Sequence, residues 1–100
     1  MAMLRLVPRP EKRQEAIRIL TRVANEVQLM PGCVSSSVYE ELSPEQAILC
    51  VEMWQSEEGL SRHIQSNMYR WTLAAMELAA APKSVFIRSR RRGAWRWLSP

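Results

Sequence analysis

The spacing of apolar and polar positions predicts alternating strands and helices along the whole chain. Residues 2–7 (AMLRLV) alternate loosely up to a proline, which predicts a short strand. Between Pro10 and Val27, apolar residues recur every three or four positions, as in an amphipathic helix lying on a sheet. Proline and glycine in "MPGC" end that helix, and "VSSSVYEEL" predicts the second strand.

The turn "SPEQ" separates residues 34–42 from residues 46–54 and predicts an antiparallel hairpin. In this register Cys50 faces Val38, so Cys33 lies roughly 16 Å away, beyond the ~7 Å that a disulfide spans, and we expect two free thiols. The second strand of this hairpin, residues 46–54, is apolar on both sides, which predicts that each of its faces is covered. Helices can cover one, and a second copy of the sheet the other, as a homodimer through the open sheet face.

A second helix and a last strand complete the predicted order. Ser56 is a favoured N-cap, and the following apolar side, which includes His63, continues to "AAAPK"; a break around Ser66 and Asn67 is an open alternative. "SVFIRS" predicts the final strand. The order β-α-β-β-α-β predicts an α+β fold over residues 1–89, a ferredoxin-like sandwich with a four-stranded antiparallel sheet and helices on one face.

Composition and charge add limits to this fold. One hundred residues fit one domain, no apolar run approaches ~20 residues, and the N-terminus lacks a secretory signal, so we expect a cytoplasmic protein. Five basic residues and no acidic residue follow position 87, so the net charge of +4 belongs to the tail, residues 90–100. For that arginine and tryptophan tail we favour disorder or docking on its own dimer over contact with nucleic acid or membrane.

Three motifs resemble those of the antibiotic biosynthesis monooxygenase (ABM) domain family. They are "PGC" before the second strand, "E-x-W-x-S" from Glu52 to Ser56, and "H-x-x-S-x-x-Y" from His63 to Tyr69. The resemblance covers about residues 2–89 and implies a dimeric α+β barrel. It also implies cofactor-independent oxygenation of quinols or anthrone-like molecules by dioxygen, without flavin or metal. Haem-degrading members carry an asparagine on the first strand, which "AMLRLV" lacks, so we do not expect haem degradation.

Candidate site residues follow from chemistry and from this resemblance. His63 is the only histidine and the chain has no Asp, so His63 is the first candidate for a general base, against the alternative of a hydrogen-bonded structural residue. Asn67 is a second catalytic candidate, with a helix break as its alternative. Four side chains are candidates for the substrate pocket, with core packing as the alternative: Trp54, Tyr69, Trp71 and Met68.

Two residues of the central strand have different expectations. Glu52 needs a partner on a covered face, and we expect an arginine, which the other subunit of a dimer could supply, rather than a general-base role. Cys50 is expected to be inert. With one histidine, no Asp and no CxxC, no zinc or magnesium site is expected. The sequence thus favours a cofactor-independent monooxygenase of a small aromatic or quinol-like substrate; the alternative is a non-catalytic dimeric ligand-binding or interaction module.

Overall fold

The structure is a computed structural model that describes residues 1–80 and the strands at residues 85–91 and 94–97. In chain order, its elements are β1 (Ala2–Leu6), a 3-10 turn (Pro10–Lys12), α1 (Arg13–Val27), β2 (Cys33–Glu40), β3 (Ile48–Trp54), α2 (Glu57–Ile64), α3 (Tyr69–Met76), β4 (Val85–Arg91) and β5 (Ala94–Trp97).

The strands form one antiparallel sheet in the order β2-β3-β1-β4-β5. The α+β class is therefore confirmed, and the predicted order holds as far as β4, except that two helices, α2 and α3, stand where one was predicted. The prediction of four strands is wrong, because Ala94–Trp97 adds a fifth strand beside β4. β5 begins only three positions after β4 ends, so the two strands pair locally, and the basic, tryptophan-containing composition of the tail did not reveal this pairing. The predicted boundary at residue 89 falls within β4 and stays a prediction.

The β2–β3 hairpin has the register that the turn predicts. Val38 pairs with Cys50 across the two strands, and both cysteines are free thiols. The chain enters β2 through Gly32, whose φ of 86° is a conformation that glycine adopts without strain.

Helices cover one face of the sheet. The buried positions of β1 alternate, so that Leu4 and Leu6 face α1 and α3 while Met3 and Arg5 face the other way. The core unites residues of four elements: Leu4, Leu6, Ala16, Leu20, Ile48, Tyr69 and Ala75. Among the residues that the structure describes, no helix has the length and apolarity needed to cross a bilayer.

The second helical region is broken between Ile64 and Tyr69, which is the alternative that the sequence analysis left open around Ser66 and Asn67. The side chain of Ser66 donates a hydrogen bond to the backbone oxygen of His63 at 2.6 Å, and its backbone N–H donates to the same oxygen at 3.0 Å. A hydroxyl that bonds to the helix backbone competes with helix continuation. The break therefore separates α3 from α2.

Candidate functional site

A small cavity lies between the helix-facing side of the sheet and the three helices. Its volume is about 40 Å³, enough for about three water molecules. Its walls come from strands β1, β2 and β3 and from all three helices. The polar or ionisable side chains among its lining residues are Ser36, Cys50, Glu52, His63, Tyr69 and Thr72.

His63 stands in this wall and is almost completely buried, with 1% of its surface exposed. The Trp54 ring stacks on the imidazole with ring centroids 5.5 Å apart, and the Tyr69 ring meets it edge-on at 5.6 Å. Trp54 can lie over the first turn of α2 because position 59 is glycine: a Cβ there would be 3.2 Å from the indole. The imidazole is thus held between two aromatic rings.

Glu52 reaches the same group from β3. Its Oε1 accepts a hydrogen bond from Trp54 Nε1 at 3.0 Å, and its Oε2 lies 3.5 Å from His63 Nε2. Among the described residues of the single chain, Glu52 contacts the indole and the imidazole and no arginine, and an arginine from a second subunit stays a prediction. The contact between the carboxylate and the imidazole was not predicted. The sequence does carry a signal for the contact with the indole, because the two-residue spacing of Glu52 and Trp54 puts both on one face of β3.

Two buried polar atoms of residues that line the cavity have no hydrogen-bond partner within the described part of the chain. They are His63 Nδ1 and the Tyr69 hydroxyl oxygen. Buried polar atoms are normally paired, so such atoms at a cavity wall are candidates for contact with a ligand. Burial, and secondarily the charge of Glu52, raises the pKa of Tyr69 to about 12, so its hydroxyl is a donor at neutral pH.

Burial also protects the thiol of Cys50. It raises the pKa of Cys50 to about 12, and the charge of Glu52 adds to this effect. Because the thiolate is the reactive form, this cysteine is inert at neutral pH, as expected from the sequence.

The structure brings only some of the predicted site residues together. His63, Tyr69 and Trp54 form one cluster, whereas Asn67 is exposed in the turn between α2 and α3. Met68 and Trp71 line a separate outer groove against α1, and Trp71 is 56% exposed. The roles proposed for these three residues stay predictions.

Comparison with known proteins agrees with the fold and the motifs. A protein of Methanosarcina mazei Go1 is 24% identical and superposes with a TM-score of 0.75, covering 86% of this chain and 84% of that one. Rv0793 of Mycobacterium tuberculosis is 24% identical and superposes with a TM-score of 0.76, covering 86% of this chain and 86% of that one. A protein of Deinococcus radiodurans, provisionally named an antibiotic biosynthesis monooxygenase, is 18% identical and superposes with a TM-score of 0.79. The match covers 99% of this chain and 97% of that one.

A sequence relative and a family model extend this comparison. The uncharacterized protein sll1783 of Synechocystis is 26% identical over 80 residues, which are 79% of this chain; the match spans 54% of that protein, about half its length. The model of the family described as antibiotic biosynthesis monooxygenase matches residues 1–75. This match includes β1 to α2 and most of α3, with the whole cluster around His63. The chain belongs to the antibiotic biosynthesis monooxygenase family.

Proposed function

We propose that this protein is a cofactor-independent monooxygenase of a small, electron-rich aromatic or quinol-like substrate. The observation that carries this proposal is the pair of unpartnered buried atoms, His63 Nδ1 and the Tyr69 hydroxyl, on two residues that line one largely apolar cavity. An acceptor and a donor in a dry site are what deprotonation of a phenol or an activated CH₂ group requires.

In this mechanism, His63 accepts the substrate's proton and Tyr69 donates a hydrogen bond to the oxygen on which negative charge develops. The resulting anion supplies the electrons that reduce dioxygen. One oxygen atom enters the substrate and converts its CH₂ group into a carbonyl, and the other oxygen atom leaves as water with the two hydrogens. Leu4, Leu20 and Leu60 give the cavity apolar walls that exclude bulk water.

The cavity must widen to admit such a substrate. Ligand pockets usually measure about 300 Å³ or more, and this one holds about 40 Å³. This small volume favours the second candidate function, a non-catalytic binding or interaction module in which His63 is structural. The two functions differ in whether the protein consumes oxygen.

We propose further that the protein is a homodimer through the open sheet face. Leu49, Val51 and Met53 of β3 project there, beside Met3 of β1. Met53 remains 41% exposed in the single chain, and Tyr39 of β2 54%. Contiguous apolar exposure of this kind is typical of an interface, and two such faces form the barrel that the family resemblance implies.

Oxygen uptake by the purified protein tests the proposed reaction. With a panel of quinols and anthrone-like phenols, His63→Ala should lower turnover about a hundredfold or more, the effect of losing a general base. Gln65→Ala, an exposed change at the end of the same helix, is the matched control. Asn67→Ala must show a comparable loss if Asn67 touches the substrate. A folded wild-type dimer that consumes no oxygen with any panel member would support the binding module instead.

A further inference from the structure

The Glu52 carboxylate lies between a group that can only donate a hydrogen bond and one that can either donate or accept. Trp54 Nε1 has a hydrogen and no lone pair to offer, whereas a neutral imidazole carries its proton on either nitrogen. Oε1 is taken by the indole at 3.0 Å, and Oε2 faces His63 Nε2 at 3.5 Å. An ionised carboxylate only accepts, so the nitrogen facing it is favoured as the one that carries the proton.

We infer that Glu52 is a positioning residue that keeps the proton of neutral His63 on Nε2 and leaves Nδ1 as the acceptor at the cavity. The indole fixes the carboxylate's orientation, and the carboxylate fixes the tautomer. At 3.5 Å the contact between Nε2 and Oε2 is longer than an ordinary hydrogen bond, so the negative charge of Glu52, rather than a short hydrogen bond, favours the proton on the nitrogen that faces it. Nδ1, which has no partner among the described residues, is the nitrogen left to meet a ligand. Only the catalytic consequence of this tautomer rests on the proposed function.

An isosteric substitution should reverse the tautomer. In Glu52→Gln, the amide oxygen is required by Trp54 Nε1, so the amide NH₂ takes the place of Oε2 and faces His63. Two donors cannot face each other, so His63 Nε2 gives up its proton and Nδ1 carries it. The variant keeps the shape of the side chain but blocks the acceptor at the cavity.

Nitrogen NMR of the imidazole tests this directly. Protonated and unprotonated ring nitrogens have well-separated ¹⁵N shifts, and His63 is the only histidine, so protein without a purification tag needs no residue assignment. In neutral wild-type imidazole, we expect the proton on Nε2, and in Glu52→Gln on Nδ1. A wild-type proton on Nδ1, or an unchanged tautomer in the folded variant, would overturn the inference.

A second substitution should restore the first state. In the double variant Glu52→Gln with Trp54→Phe, no indole N–H holds the amide oxygen, so the amide can rotate and offer that oxygen to Nε2. The proton should return to Nε2. Glu58→Gln, an exposed change on the helix that carries His63, removes a charge without touching the imidazole and should leave the tautomer as in the wild type. If Glu52→Gln does not fold, the wild-type spectrum still decides the assignment.

Kinetics then separates the tautomer from the proposed reaction. With a substrate identified by oxygen uptake, Glu52→Gln should lower kcat at least tenfold with little change in KM, because binding survives and the acceptor is lost. The double variant should recover most of the loss. Equal losses in the two variants would show that Glu52 acts only through packing. If the protein proves inactive, the NMR result stands or falls by itself.

Discussion

The two faces of β3 carry opposite chemistry although their residues alternate along one strand. Cys50, Glu52 and Trp54 point toward the helices, where an ionisable cluster lies beside a small cavity. Val51 and Met53, their immediate neighbours, point to the open side, where apolar surface remains exposed. A strand that serves a site on one face and an interface on the other tolerates no slip, because a shift of one residue would exchange the two sets.

The largest effect should come from a charge placed on the open face. Val51 pairs with Met3 on one side and Ser37 on the other, so it lies in the middle of the sheet. In Val51→Lys, the two-fold symmetry of a dimer buries two unpaired charges, each at a cost of several kcal/mol. We expect the dimer to dissociate at least ~1,000-fold more readily, as measured by sedimentation across protein concentrations.

Thr21→Lys is the matched control for this substitution. Thr21 has the β-branched shape of Val51 and is exposed on α1, which covers the opposite face of the sheet, so the same change adds a charge outside the proposed interface. Its dissociation constant should equal that of the wild type. An unchanged dimer in Val51→Lys would rule out the open face as the interface and leave the cavity side unaffected.

The next largest effect should come from a core leucine on the helix side. Leu6 is fully buried between β1 and the helices, and truncation of such a residue costs about 2–5 kcal/mol. Leu6→Ala should therefore lower the free energy of unfolding in urea by about that amount, at a fixed protein concentration. Leu42→Ala removes the same atoms from a fully exposed loop position and should change the free energy of unfolding by no more than about 0.5 kcal/mol. Similar losses in both variants would contradict the assigned core.

Much of this arrangement could be predicted from local sequence patterns. Alternation and turn residues were enough to pair Val38 with Cys50 and to put Glu52 on a covered face, because a hairpin is set by neighbours in sequence. The partners of Glu52 could not be predicted. Its contact with His63 depends on how α2 lies over β3, which is a matter of tertiary packing and not of spacing.

The helix break explains which site residues the periodicity misplaced. His63, Asn67 and Trp71 follow each other at four-residue spacing, which puts them on one face only if the helix is continuous. Ser66 interrupts it, so Asn67 falls in the turn and Trp71 faces the outer groove. Tyr69, by contrast, points into the cavity wall. A break shifts the phase of every later residue, and the spacing rule does not carry across it.

A smaller effect on stability, with a clear effect on rate, should follow from removal of the Tyr69 hydroxyl. That oxygen is buried without a partner in the described structure, so Tyr69→Phe should leave stability unchanged or raise it by up to about 1 kcal/mol. Turnover should fall about tenfold to a hundredfold if the hydroxyl stabilises an anion. Tyr39→Phe removes the same hydroxyl from the open face, on the other side of the sheet from the cavity, and is the control for turnover. A clear loss of stability in Tyr69→Phe would show that the hydroxyl is structural.

The smallest effect should come from the shorter of the two ion pairs that Arg5, on the open face, forms with the hairpin loop, at 2.8 Å to Glu41 and 3.6 Å to Glu45. Arg5 donates a hydrogen bond to Glu41 at 2.8 Å, and this bond, followed by the Ser43 hydroxyl, lowers the pKa of Glu41 below its ordinary value of 4.5. A carboxyl whose pKa is lower in the folded chain stabilises the fold above its unfolded pKa, and this contribution fades as pH falls below it.

Glu41→Gln should therefore reduce the urea midpoint slightly at neutral pH and by less at about pH 3.5, where the wild-type carboxyl is already mostly protonated in the unfolded chain. Glu77→Gln, an exposed change on the helix side, should show no such difference between the two pH values. A gap between Glu41→Gln and wild type that is equal at both pH values would mean that the pair holds the loop through shape alone. Because this effect is confined to a solvent-exposed group, it should leave the cavity and oxygen uptake unchanged. In that case, the polar chemistry of the open face is separable from that of the helix face, as the alternation along β3 predicts.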